Sequence, residues 1–115
     1  MKVFSRISFP ALSVIAGLSF ASTSAWAVDV DGAKDLARQN NCYTCHAVKT
    51  DKVGPAWSKV AEKYRNDAQA EAKMIHHLTV GDKAKFPDGH EEDHKTIKAD
   101  ADRVKNLAQY ILSLQ

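Results

Sequence analysis

The chain has 115 residues, with sixteen basic against fourteen acidic side chains and 44% hydrophobic residues. That is room for one small domain, whose apolar core alone is marginal. The two cysteines, Cys42 and Cys45, are too close together to form a disulfide framework, so something other than cross-links must stabilise the fold.

In chain order, Lys2 and Arg6 flank the start of an apolar run from Phe9 to Phe20, which is too short to cross a bilayer comfortably. Ala25-Trp26-Ala27 then puts small residues at the two positions a signal peptidase reads. Residues 1–27 are expected to be a signal peptide cut after Ala27, leaving 28–115 as a single mature domain exported to the periplasm. The alternative is an uncleaved anchor, and no other stretch is apolar and long enough to span a membrane. Loss of Lys2 and Arg6 makes the remaining basic and acidic residues equal in number, so neither nucleic acid nor an anionic membrane is expected as a partner. A monomer is expected.

Ala33, Leu36 and Ala37 among charges predict a short helix over 31–40, with Asp31 as its N-cap. It leads directly to Cys42. Residues 47–55 lack periodicity and read as a surface loop, after which Pro55 can open a helix over 55–65 on the stripe Ala56, Trp57, Val60, Ala61 and Tyr64. A third helix begins near Ala68, buries Ala72, Ile75, Leu78 and Thr79, and stops at Gly81. Residues 81–99, charged and interrupted by Gly and Pro, read as a long functional loop. A last helix follows, capped by Asp100 or Asp102 and striped by Val104, Leu107, Ala108, Ile111 and Leu114. With no strand pattern or repeat, the fold class is all-α.

Cys42-Tyr43-Thr44-Cys45-His46 has the spacing at which two thiols join the vinyl groups of a haem while the next imidazole binds its iron. The motif uses the only cysteines and follows an export signal. A thioredoxin-like redox pair lacks the βαβ pattern it needs, and a zinc site lacks a second spaced couple, although His90 or His94 could add a ligand. A covalent haem supplies the missing apolar mass around which short helices bury their faces.

At these residues the chain resembles the small class I bacterial cytochromes c, over nearly all of its mature length. Leu36-Ala37-Arg38-Gln39-Asn40-Asn41 runs into the Cys42–His46 motif, then Val53-Gly54-Pro55-Ala56-Trp57, Val60-Ala61-Glu62-Lys63-Tyr64 and Leu107-Ala108-Gln109-Tyr110-Ile111-Leu112 follow. The resemblance implies four to five short helices around one covalent haem c. It implies that the first and last helices cross near it, with Tyr110 the aromatic of the last helix, and that the Pro55 carbonyl binds the His46 ring and tunes the iron. Trp57 is expected against the haem, although an aromatic on an apolar stripe is more commonly core, and Tyr64 is expected to be plain core.

The family's usual methionine ligand, in the loop before the last helix, is missing. Met1 leaves with the signal peptide, and Met74 lies within a helix and reads as core. Sixteen positions before Tyr110, where the family carries its methionine, stands His94. A bis-histidine haem held by His46 and His94 follows, with His90 as the alternative ligand and a solvated histidine as the bland outcome for either. His76 and His77 are adjacent on a helix, so one should pack and the other face water. A second imidazole in place of a thioether favours ferric iron and a comparatively low potential.

The resemblance thus implies a periplasmic electron carrier, not an enzyme, that docks transiently on redox partner proteins. Lys49, Lys52, Lys59 and Lys63 are either a docking patch or ordinary solvated faces, and the acidic run 88–93 either guides a basic partner or solubilises its loop. The rival function is binding of a gas or other small ligand at iron vacated by His94.

Overall fold

The computed structural model describes residues 27–115 and Gly17. The expected signal segment, apart from those two positions, lies outside the described residues. Four helices carry the domain: α1 Val30–Gln39, α2 Trp57–Lys63, α3 Ala70–Val80 and α4 Ala101–Ser113, with a 3-10 turn at Cys42–Thr44. None is long and apolar enough to cross a membrane.

Helix α4 is the floor on which the other three rest. Its Leu107 and Ala108 are completely buried, and Val104, Tyr110 and Ile111 nearly so. Facing them on α1 are Ala33, Leu36 and Ala37, the first and last fully buried; alanines on both helices let the two backbones approach closely. The observed N-cap of α1 is Asp29 rather than Asp31: its carboxylate accepts the Gly32 N–H at 2.9 Å. Asp31 sits in the first turn, where its charge suits the positive end of the helix dipole. Asn106 of α4 exchanges two hydrogen bonds of 2.8 Å with the backbone of Asp29, so the start of α1 is stapled to the last helix.

Helix α2 begins two residues after Pro55 and has no side-chain cap. Its free N–H groups are taken by the preceding loop: Trp57 donates to the Ala47 carbonyl and Ser58 to that of Val48, both at 2.9 Å. The loop after the cysteine motif and the helix that follows it are therefore one backbone unit. Helix α3 ends, as expected, at Gly81, which adopts the left-handed conformation with φ of 80°.

The segment read as a structureless loop contains a hairpin. Strands β1 Lys83–Lys85 and β2 Glu91–Asp93 pair antiparallel with Lys83 opposite Asp93, and the ammonium and carboxylate of that pair meet at 2.7 Å. β2 is polar on both faces and β1 offers only Ala84 on its inner face, so three-residue strands this short gave no apolar alternation to announce them. The turn is made by Pro87-Asp88-Gly89, with Gly89 at φ of 91°, a combination that favours chain reversal. The fold remains predominantly helical, as the sequence implied.

Candidate functional site: two histidine arms

Cys42, Cys45 and His46 lie on a tight bend. Asn41 takes a left-handed conformation, φ 56°, and the Cys42 carbonyl accepts the His46 N–H at 2.9 Å. This curls the motif so that both thiols and the imidazole leave one short stretch of backbone. Both cysteine side chains are half-buried, and burial pushes the thiol of Cys42 up from its ordinary value.

The His46 ring is fixed on three sides. Its Nδ1 lies 2.7 Å from the Pro55 carbonyl oxygen, which can only accept, so this nitrogen carries the proton and Nε2 is left with its lone pair. Gly54 lies flat against the ring: a Cβ there would fall 2.5 Å from His46 Cε1. Trp57 stacks alongside at 5.9 Å, itself edge-on to Tyr110 at 6.3 Å and 5.2 Å from Tyr43. The hydrogen bond to Pro55 is present as expected. Trp57 is 4% exposed and belongs to the core, with its ring centroid 5.9 Å from that of His46. Tyr64 packs at the edge of that core, and Met74 is buried within it.

His94 follows β2. Its N–H donates to the Asp82 carbonyl at 2.9 Å, and three residues later the Ile97 N–H donates to the Leu78 carbonyl at 2.8 Å. The segment is thereby tied on both sides of His94 to the end of α3. Gly81 makes this possible, since a Cβ on it would lie 2.6 Å from the His94 carbonyl oxygen. The half-buried His94 ring holds its Nδ1 2.9 Å from the Lys95 carbonyl oxygen, which again leaves Nε2 with its lone pair. Burial, and after it the neighbouring His77, keeps this imidazole below the usual histidine range and hence neutral at neutral pH.

The ring centroids of His46 and His94 are 6.0 Å apart. Two imidazoles on opposite sides of one metal ion are separated by about 6 Å, the sum of two bonds of about 2 Å and the distance from each nitrogen to its ring centre. His90, the alternative, sits in the hairpin turn with Nδ1 on Asp88, Nε2 3.3 Å from Glu92 and its ring stacked on Phe86. Both of its nitrogens face carboxylates. Of the adjacent pair on α3, His76 is the exposed member and the partly buried His77 faces His94. Between the attachment loop and the hairpin tip lies an open cleft of about 400 Å³, bordered by Gly54, Pro55, Lys85 and Phe86. Residues thus arranged fit a haem: two thiols for its edge, a glycine where a side chain would crowd the ring of the attached histidine, and a second imidazole at ligand spacing.

Of the four lysines considered for docking, all are exposed, but Lys59 is paired with Asp51 and Lys52 donates to the Tyr43 carbonyl at 2.6 Å. Lys49 and Lys63 have no ion pair among the described residues, Lys63 lying 5.7 Å over the Tyr64 ring.

A helical fold whose first and last helices pack together beside a Cys-X-X-Cys-His bend is the fold of class I c-type cytochromes. The chain belongs to the cytochrome c family, whose model matches residues 30–115. It is similar to the crystal structure of the class 1 cytochrome MtoD from Sideroxydans lithotrophicus ES-1, at 64% identity and a TM-score of 0.75, over 76% of this chain and 98% of that one. Cytochrome c-552 of Hydrogenobacter thermophilus is 31% identical over 88% of this chain and 89% of its own length. Cytochrome c-551 of Pseudomonas aeruginosa is 36% identical over 61% of this chain, and the match spans 64% of that protein. Members of the family are electron carriers, not enzymes, and bind one covalent haem c; that is the cofactor of this chain.

Proposed function

We propose that the mature domain, residues 28–115, is a periplasmic carrier of single electrons, exported by a signal peptide cut after Ala27. Cys42 and Cys45 hold the haem through thioether bonds, His46 binds its iron from one face and His94 from the other. The observation that carries this is the 6.0 Å separation of the His46 and His94 rings, each with its Nδ1 proton given to a backbone carbonyl. When bound, the haem supplies a metal centre that gains and loses one electron. The chain holds that centre in one geometry: the hydrogen bonds to Pro55 and Lys95 orient the two imidazoles and raise their donor strength, and the packed aromatics Trp57 and Tyr110 exclude water from the proximal side.

Two imidazoles stabilise ferric iron more than an imidazole and a thioether do, so the potential is low for a cytochrome c. The protein docks as a monomer on redox partners, with Lys49 and Lys63 the lysines free to take part. Backbone hydrogen bonds on both sides of His94 weigh against its ready release, and so against gas binding. Spectroelectrochemistry on the wild type and His94→Met tests the assignment. A rise in potential in the variant is expected, and an unchanged or lower potential counts against His94 as the ligand.

A further inference from the structure

An imidazole bound to iron through Nε2 keeps one soft coordinate, rotation of its plane about the metal–nitrogen axis. For His46 that rotation is blocked by the Pro55 carbonyl, by Gly54 and by Trp57. For His94 the hydrogen bond from Nδ1 reaches only to the carbonyl of the next residue, which moves with it. A second restraint lies across space. The His77 ring on α3 is 4.3 Å from the His94 ring at an angle of 43°. His77 is held in its turn: its Nδ1 lies 3.3 Å from one oxygen of Asp82, whose other oxygen is 3.5 Å from His76 and whose backbone carbonyl accepts the His94 N–H.

We propose that His77 is a positioning residue for the sixth ligand: anchored by Asp82 at the end of α3, its ring sets the plane of the His94 imidazole. This rests on His94 being that ligand. Asp82 thereby fixes both parts of the distal arm, the backbone of His94 through its carbonyl and the flat neighbour of the His94 ring through its carboxylate. The mutual angle of two axial imidazole planes sets the splitting of the iron d orbitals, so a poorly held plane appears as a spread of g values in ferric low-spin haem. The role differs from plain packing in that it requires a flat ring rather than apolar bulk.

The test is electron paramagnetic resonance of the ferric holoprotein in the wild type, His77→Ala, His77→Phe, Asp82→Asn and His94→Ala. His77→Ala is expected to stay low-spin with shifted, broadened g values. His77→Phe keeps the flat ring without its Asp82 anchor and, like Asp82→Asn with His77 in place, gives an intermediate broadening. Wild-type g values and line widths in His77→Ala would overturn the positioning role while leaving His94 as the ligand. A low-spin spectrum unchanged in His94→Ala would remove the ligand assignment, and the positioning role with it. Loss of the low-spin signal in His77→Ala would make His77 the ligand itself and would equally overturn the proposal.

Discussion

The proximal and distal arms are built from matching parts, a carbonyl for Nδ1, a glycine at close approach and a flat ring alongside, yet they are anchored differently. Around His46 the parts are Pro55, Gly54 and Trp57, and Trp57 is buried against Tyr110 of α4. Around His94 they are Lys95, Gly81 and His77, held by backbone hydrogen bonds to α3 and by an exposed hairpin whose β2 strand has no buried residue. Core packing fixes the first arm, and surface hydrogen bonding fixes the second. Water competes for exposed hydrogen bonds but cannot enter a packed aromatic cluster, so the distal arm is the one that opens at lower cost. On the proposed assignment, the His46 side is the permanent attachment and the His94 side is where the properties of the iron are adjustable.

Adding one methyl group to each arm sharpens this contrast. In Gly54→Ala the new Cβ drives into the His46 ring, whose Cε1, Nδ1 and Nε2 would all lie within 3.0 Å, and the ring cannot retreat without leaving Pro55 or Trp57. A cost of about 1–3 kcal/mol in stability is expected from such overpacking, together with weakened proximal ligation. Thermal unfolding followed at the haem absorption band measures both. Gly81→Ala meets the His94 carbonyl and forces alanine into a positive φ. Its cost of about 1–2 kcal/mol falls on the distal segment, where local opening relieves part of it. Amide hydrogen exchange should show lost protection at His94 and Ile97 with little change at Gly54 and Trp57; equal loss in both arms would erase the distinction.

The smallest effect concerns acid. Asp51 closes the proximal loop, accepting the Ala56 N–H at 2.9 Å and pairing with Lys59, and the Lys59 ammonium followed by the Ala56 N–H holds its carboxyl below the ordinary carboxylate range. A carboxyl more acidic when folded contributes fully above the unfolded value of about 3.9, and the contribution fades as pH falls through the lower folded value. Asp51 is exposed, so the effect is slight. Asp51→Asn should lose a little stability at neutral pH and flatten the acid limb of the unfolding curve, whereas a limb unchanged from wild type would leave the loop closure without a role.

Much of this was legible in the residues themselves. The stripes of α1 and α4 showed their buried faces, Gly81 marked the end of α3, and the Cys42–His46 motif pointed to the tight bend that carries both cysteines and the imidazole. The sequence pointed to Asp31 as N-cap because the apolar stripe begins just after it, whereas the helix starts one residue earlier and Asp29 caps it through the Gly32 N–H. The hairpin escaped because its strands are three residues long with Ala84 their one apolar side chain, and depend on a turn and a cross-strand ion pair, although Pro87-Asp88-Gly89 carried the turn signal. The contact between His77 and His94 joins residues on different elements, with α3 ending and a hairpin intervening, and no local pattern reports such a meeting.

The central claim is that His46 and His94 bind the iron from opposite faces, and near-infrared magnetic circular dichroism of the ferric wild-type holoprotein reads the axial pair directly. The geometry predicts the charge-transfer band of low-spin haem with two imidazole ligands. A band typical of an imidazole–thioether pair, or a high-spin spectrum, would contradict it.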